Sequence, residues 1–357
     1  MLLRLDRMPS DISRRSVLKR SAAVGVSASA IALAGCTEDD GEFPSETINF
    51  VNHFSEGGGT DRNFRQLQGY WEEELSGSFS QVYEDGAGTR NGVNAMLSEG
   101  DDLHNVGATL TPSTPSTIPV DEEDPNRDPA FTVDDLEFLG TTVGDPALIR
   151  VREDDDRFDT LEELVEFAED NPGELVMGSS GPANQFTLAG ILMFEELGLD
   201  DINIVPYDGG GPVQTGLLQE EVDFIIRAVY NSRDVEDETT VLGIFNEENP
   251  WAPITDDAEP VNDILGTDID YGPLTGFETY YVTMEAAEAN PDGYELLVES
   301  FQDALDSEGY DEELAEVDEF EQDKIDYRDP DQTREIWESA VEEFRDAQPL
   351  IEEYIQS

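Results

Sequence analysis

The sequence predicts an α/β protein of two domains, and three observations carry that expectation. The chain has 357 residues, room for two domains at the usual ~150 residues each. Short apolar runs alternate with stretches of helical period, the order of a parallel sheet covered by helices. At Gly57, Gly86, Ser179 and Gly209 a strand runs into a loop of small residues just ahead of a helix.

The elements follow in order. Residues 47–51 read as a strand, and the glycines after it open a helix to about Leu75 with Phe64, Leu67, Tyr70, Trp71 and Leu75 at helical spacing. A strand at 80–83 meets a second glycine loop at 85–89, and a further helix and strand end near Thr109. Residues 110–133, rich in Pro, Thr and Asp, read as a surface excursion before strands at 136–139 and 147–151.

The second half repeats the pattern. Thr160-Leu161-Glu162-Glu163 is a capping box, and the helix it opens, with Leu161, Leu164, Val165 and Ala168 on one face, stops at Asn171-Pro172-Gly173. Strand 175–178 empties into loop 179–185. A helix with Leu188, Ile191, Leu192 and Leu197 then ends at Gly198. Strand 202–207 feeds loop 208–212 and a short helix, followed by apolar runs at 222–227 and 241–245. Two acidic amphipathic helices, marked by Tyr294, Leu297, Val298 and Phe301 and by Trp337, Val341 and Phe344, complete the chain.

Charge restricts the partners. Against 84 Asp and Glu stand 19 Lys and Arg, a formal net charge of -65, which excludes nucleic acid as a partner. Disorder is excluded too, because 17 Phe, 11 Tyr and 3 Trp sit in regularly spaced runs. The remaining reading is a folded protein with an acidic coat, suited to concentrated salt and a halophilic source. At ~1 M salt the Debye length of ~3 Å screens the self-repulsion.

Residues 1–20 hold six basic residues, Arg14-Arg15 among them, ahead of an apolar stretch at 21–34 too short to span a bilayer. The stretch ends in Leu33-Ala34-Gly35-Cys36. It resembles a twin-arginine export signal closed by a lipobox, with Val17 where Phe is commonest. Cys36 is the single cysteine and adjoins an acidic, disorder-prone tether, so lipidation is expected there. The expected location is extracytoplasmic, at the outer face of the cytoplasmic membrane. Without residues 1–35, which carry two acidic and six basic residues, 82 acidic side chains face 13 basic ones. In such a chain a cation such as Arg90 or Arg227 can be holding a particular anion.

Bare loops after strands lie where open α/β sheets bind ligands. With no side chains in the way, backbone N–H groups converge on an anion, and the next helix adds its positive end. Each loop alone also reads as a tight turn using glycine's positive φ. Four in two successive sets point to a ligand cleft shared between domains. No Walker A or GxGxxG pattern supports a nucleotide, and no cofactor is expected.

Four segments taken together carry a resemblance. They are Phe54-Ser55-Glu56-Gly57-Gly58-Gly59-Thr60-Asp61, the Gly86-Ala87-Gly88 loop, Asn171-Pro172-Gly173 with Gly178-Ser179-Ser180-Gly181, and Val205-Pro206-Tyr207-Asp208-Gly209-Gly210-Gly211-Pro212. In order and spacing the chain resembles the extracytoplasmic solute receptors of tripartite tricarboxylate transporters, the TctC/Bug-like substrate-binding proteins, as a lipoprotein of haloarchaeal type. The resemblance implies a periplasmic-binding-protein type 2-like fold, two α/β domains with a ligand cleft between them, closing on a small organic acid. It implies residues 1–35 as signal, 36–46 as tether, 47–145 plus 268–357 as one domain and 146–267 as the other. The implied partners are the organic acid, a large and a small membrane permease subunit, and the membrane surface through the lipid anchor. A monomer without chemistry of its own is expected. The alternative is a sensor or signalling receptor using the same cleft.

Carried over by position, Ser55, Gly57, Gly58, Thr60 and Asp61 would form the first-domain side of the site, and Ser179, Ser180, Gly181, Ala183 and Asn184 would face them; Gly88, Tyr207, Gly210 and Arg227, in or beside the other loops, are further candidates. The family holds a carboxylate through backbone amides, hydroxyls and water. Asp61 caps the next helix, orients water or meets a ligand amine. Tyr207 closes the cleft or packs. Arg227 and Arg90 each pair with a ligand carboxylate or with a structural partner. His53 and His104 read as structural, since no metal-ligand spacing surrounds them. Glu56, residues 101–104 and Phe277 depart from the family pattern. A hydrolase has no support, because Ser179-Ser180-Gly181 is not a nucleophile elbow.

Overall fold

A computed structural model describes residues 43–123, 129–181, 184–199, 202–207, 209–317 and 320–356. In chain order the elements are β1 (Ile48–Asn52), α1 (Gly59–Leu75), β2 (Phe79–Tyr83), α2 (Arg90–Ser98), β3 (Asn105–Thr111), α3 (Thr117–Glu123), β4 (Leu136–Asp145) and β5 (Ala147–Arg152). They continue through α4 (Leu161–Asp170), β6 (Val176–Ser179), α5 (Gln185–Glu196), β7 (Asn203–Pro206), α6 (Gly210–Leu218), β8 (Phe224–Ala228), β9 (Thr239–Phe245) and α7 (Val261–Leu265). The last are β10 (Gly276–Thr283), α8 (Met284–Ala289), α9 (Pro291–Leu305), α10 (Glu308–Val317) and α11 (Pro330–Gln356).

These strands make two five-stranded sheets, ordered β2-β1-β3-β10-β4 and β7-β6-β8-β5-β9. Both are mixed rather than parallel, a correction to the sequence expectation. β10 runs antiparallel to β3 and β4, and β5 runs antiparallel to β8 and β9. β10 escaped the periodicity because Glu278 interrupts its apolar run, yet that side chain is buried.

The first lobe forms because α1 carries Phe64, Leu67, Trp71 and Leu75 on one buried stripe. Trp71 lies 4.9 Å from Phe301 and 4.5 Å from Phe79 between ring centroids, and its indole N–H donates to Ser300 Oγ at 3.0 Å. α1 stops at Ser76, a left-handed residue whose N–H returns to the last carbonyls of the helix. In the second lobe Thr160 caps α4 by accepting from Glu163 N at 3.3 Å. The Glu163 carboxylate returns to Asp159 N at 2.8 Å rather than to Thr160 N, so the box is one residue wider than predicted.

Residues 110–121 are not a surface excursion. Thr111, Thr114, Ser116, Thr117 and Ile118 are buried, and α3 starts among them. The hydroxyls that make this stretch look hydrophilic are satisfied locally: Thr89 Oγ1 and Thr109 Oγ1 meet Thr114 Oγ1, and Thr117 Oγ1 donates to Thr114 O. A helix also stands between the two expected C-terminal helices, namely α10.

One residue, Pro146, separates β4 of the first sheet from β5 of the second. Asp145, at the end of β4, accepts from Tyr230 N and Asn231 Nδ2, each at 3.0 Å, and so ties the first sheet to the segment after β8. α11 touches both lobes: Trp337 and Val341 pack with Phe138 and Tyr281, whereas Phe344, Ile351 and Tyr354 enter the core around β5, β6 and β8. Truncating Trp71 to Ala should cost about 3–5 kcal/mol, read as a lower denaturant midpoint with an unchanged slope. A loss under 1 kcal/mol would mean that this aromatic cluster does not hold the first lobe.

Candidate functional site

Between the carboxyl-end loops of the two sheets lies a cleft of about 800 Å³. The first lobe supplies the start of α1, and the second supplies the starts of α5 and α6 and the end of β8. Asp145 of β4, Glu278 of β10 and Lys324 complete the wall. Across the cleft a Cβ on Gly59 would stand 3.8 Å from Asn231 Oδ1, and Ser113 Oγ donates to Gln185 Oε1 at 3.3 Å.

The three helix starts differ. α5 is capped by Asn184, whose Oδ1 accepts from Phe186 N at 2.9 Å and Thr187 N at 3.0 Å. α1 and α6, whose N-caps are Gly58 and Gly209, have no side-chain cap. Their first N–H groups have no intrahelical acceptor and give each start partial positive charge. The glycine loops therefore leave two helix ends bare towards the cleft.

Arg227 stands beside the start of α6. It is 9% exposed, and no carboxylate of the described residues lies within ion-pairing distance. Nη1 donates to Ser180 Oγ at 3.3 Å and Nη2 to Asn231 O at 3.4 Å, both long, while Nε is buried without a partner. Its guanidinium lies 5.1 Å from the Phe186 ring centroid. Burial holds its pKa below the usual guanidinium range, against the pull of Asp145 and Asp234. A Cβ on Gly210 would stand 2.3 Å from Nη2, so that glycine makes room for the guanidinium. Arg90, its counterpart in the sequence reading, pairs instead with buried Asp121 at 2.7 and 2.9 Å.

Of the expected site residues, Ser55, Gly58, Thr60, Ser180, Asn184, Gly210 and Arg227 line the cleft. Ser55 Oγ is engaged by Asp85 at 2.6 Å. Gly57, Asp61, Gly88, Ser179, Gly181 and Tyr207 are not among the lining residues. Asp61 is buried and accepts from Gly57 N at 2.7 Å, Arg65 Nε at 2.8 Å and Tyr83 OH at 2.9 Å, fastening the glycine loop to α1. These bonds hold its carboxyl below the usual range despite the opposing effect of burial. Gly88 faces Arg90 and Thr117. Ser179 Oγ is shared between Gly181 O and Thr187 Oγ1, and Tyr207 OH donates to Glu221 at 3.0 Å over Gly216. Ala183 and Cys36 lie outside the described residues, as does the arginine pair at 14 and 15.

Sequence reasoning missed several cleft residues. Asn63, Asn231, Phe186, Glu278 and Lys324 all line it. Two signals were available: Glu278 is an acid inside an apolar run, and Lys324 is the single lysine after residue 36. Lys324 Nζ donates to Asn63 Oδ1 at 3.0 Å and pairs with Glu321. Glu278 accepts from Asn63 Nδ2 and Tyr280 OH, each at 2.8 Å. Burial pushes Glu278 and Asp145 up to about 7. His53 is buried against Tyr281 OH at 3.2 Å, and burial holds it down to about 3, hence neutral. Among the described residues no cluster of His, Cys, Asp and Glu could hold a metal ion, and no helix is long and apolar enough to cross a membrane.

Two lobes around a cleft, with the sheet orders above, define the periplasmic-binding-protein type 2-like fold of solute-binding proteins. The structure superposes on a TctC solute-binding protein from Polaromonas, solved without ligand, with a TM-score of 0.69 and 18% identity over 87% of this chain and 100% of that one. Against MatC from Rhodopseudomonas palustris with bound malate the TM-score is 0.65, with 17% identity over 85% of this chain and 99% of that one. In sequence, residues 112–248 match the family described as "Tripartite tricarboxylate transporter family receptor". A UPF0065 protein of Bordetella pertussis is 25% identical over 229 residues, 61% of this chain and 64% of that protein, so the match spans less than two thirds of the relative. The family match is confined to residues 112–248, and the structural neighbours share the fold.

The raised carboxyls set a pH dependence. A carboxyl with a folded pKa near 7 and an unfolded one near ~4.3 binds more proton in the folded state between those values. Its contribution to stability is complete below the unfolded pKa and is lost as pH rises through 7. Glu278→Gln removes that titration and keeps an acceptor. Relative to the parent, the variant should therefore gain melting temperature between pH 5 and pH 8, and parallel melting curves across that range would contradict the assignment.

Proposed function

We propose that this protein is an extracytoplasmic receptor of the TctC/Bug type that captures a small organic acid, a di- or tricarboxylate or a relative of one, and performs no chemistry on it. The carrying observation is Arg227: buried in the cleft wall, without a carboxylate of the described residues in ion-pairing range, beside a bare helix start. Taking a guanidinium out of water costs several kcal/mol unless an anion compensates, and a ligand carboxylate supplies that anion bidentately. Arg62, Arg233 and Lys324 line the same cleft. Malate bound in the Rhodopseudomonas relative supports the ligand class.

The N-terminal sequence supports the remainder of the reading. Export by the twin-arginine route, lipidation at Cys36 and an acidic tether would hold the receptor at the outer face of the membrane as a monomer. There it would deliver its ligand to a large and a small permease subunit. The acidic coat fits a halophilic, haloarchaeal-type source. Closure would move residues 47–145 with 268–357 against residues 146–267, flexing where Pro146 joins the sheets and with the last turns of α11 riding on the second body.

Thermal melting against malate, succinate, citrate and adipate tests the proposal, since a ligand at about 100 times its Kd stabilises by ~2.7 kcal/mol. Arg227→Met should raise the melting temperature of the ligand-free protein, because it removes an uncompensated buried charge. The same variant should weaken the responding acid by about thirtyfold or more. If none of the acids moves the parent's melting curve, the organic-acid assignment falls.

A further inference from the structure

The wall that holds Arg227 poses an electrostatic problem of its own. Gly210 lies so close that a Cβ there would meet Nη2 at 2.3 Å, so the guanidinium abuts the first turn of α6, a helix of nine residues. That turn is Gly209-Gly210-Gly211-Pro212, with no side-chain cap, and its amides give the helix start a partial positive charge. Two positive groups are thus packed together. No carboxylate of the described residues lies within ion-pairing distance of the guanidinium, its Nε has no partner, and its two hydrogen bonds are long, at 3.3 and 3.4 Å. Gly209 and Gly210 line the cleft, and a Cβ on Gly209 would meet nothing within 4 Å, so a small ion can approach this turn.

We propose that Arg227, the Gly210 and Gly211 amides and Ser180 Oγ form a halide site, and that organic acids bind by exchange with chloride. The inference shares Arg227 with the receptor reading and deepens it, because the acid's carboxylate and the halide compete for the same donors. A halide suits the site: it is monovalent, takes N–H and O–H donors from any direction, and sheds water more readily than fluoride. The net charge of -65 opposes any anion at long range. At 0.15 M salt, however, the Debye length of ~8 Å screens distant carboxylates and leaves the decision to nearby groups. Exclusive competition then fixes the dependence: once chloride saturates the site, each tenfold rise in chloride weakens the acid about tenfold.

Crystals grown in bromide, without organic acid, should give an anomalous peak in contact with the Arg227 guanidinium. In solution, chloride should raise the melting temperature above that in fluoride at equal ionic strength, and Arg227→Met should abolish the difference. Malate titrated calorimetrically in chloride and in fluoride should bind more weakly in chloride. The bromide and chloride measurements on the parent protein do not depend on the variant folding. A bromide peak and a chloride-specific shift support the halide site even if no organic acid binds, in which case the receptor reading alone fails. Malate binding with equal affinity in both salts and no bromide peak overturns the halide site and leaves the receptor reading intact.

Discussion

A positive guanidinium pressed against the positive start of a helix constrains the loops of the second lobe that face the cleft. It requires a residue without Cβ at 210, because Nη2 occupies that space. It requires an aromatic face beneath the guanidinium, supplied by Phe186 at the start of α5. Asn231 must also be held, since its carbonyl receives Nη2 while its amide donates to Asp145. Through Asn231 the cationic wall is therefore linked to the end of β4, the residue before the crossing between the sheets. One cation thereby couples three loops and the link between lobes.

Placement of the other cations explains why Arg227 stands apart. Arg65 meets Asp61, Arg157 meets Asp155 and Asp223, Arg334 meets Glu137, and Arg345 meets Glu122. In an acid-rich chain a basic side chain on the surface finds a carboxylate without selection for it, and an exposed pair such as Arg345 with Glu122 contributes about 0–1 kcal/mol, whereas Arg65 and Arg157 each meet a buried carboxylate, Asp61 and Asp155. Arg90 differs in having a fully buried partner, Asp121. Breaking that pair would leave a buried charge uncompensated, so it fixes α2 against α3. Arg150, also buried, is held by the hydroxyls of Ser232 and Thr239, with Nη2 unpartnered. It is not among the cleft residues, and its hydroxyl partners lie within the lobe. Burial without a carboxylate is thus not sufficient to mark a binding group. Position on the cleft, beside a bare helix start, supplies the rest.

The strand, loop and helix rhythm of the first half was legible because each glycine loop follows an apolar run and precedes a helical stripe, as around Val51 and Phe64. The cleft's backbone side was legible for the same reason, and Ser55, Gly58, Thr60, Ser180 and Gly210 line it. What sequence could not supply was the direction in which a loop residue faces. Asp61 and Tyr207 stand beside cleft residues but turn inward to Tyr83 and outward to Glu221. Gly88 is not among the cleft-lining residues; its loop takes positive φ at Gly86, Ala87, Gly88 and Thr89, which turns it onto α3. Glu278 and Lys324 were invisible as a site because they are 46 positions apart by number and meet only through Asn63. Thr114 and its neighbours looked solvated because composition records hydroxyls and not their partners.

The same electrostatics bear on closure under the proposed function. The first lobe presents the bare start of α1, and the second presents the bare start of α6 with Arg227. Bringing the lobes together would therefore bring positive ends together, an unfavourable step that grows as water leaves the cleft. An anion spanning the cleft reverses the sign, because it is attracted to both faces and gains most when they are close. Affinity for the closed arrangement then exceeds affinity for the open one by the relief of that repulsion, which is the differential interaction a ligand needs to shift a conformational equilibrium. Buried Asp145 and Glu278, held largely protonated below about pH 7, would add little negative charge against the incoming anion at that pH. They would resist it increasingly as they ionise.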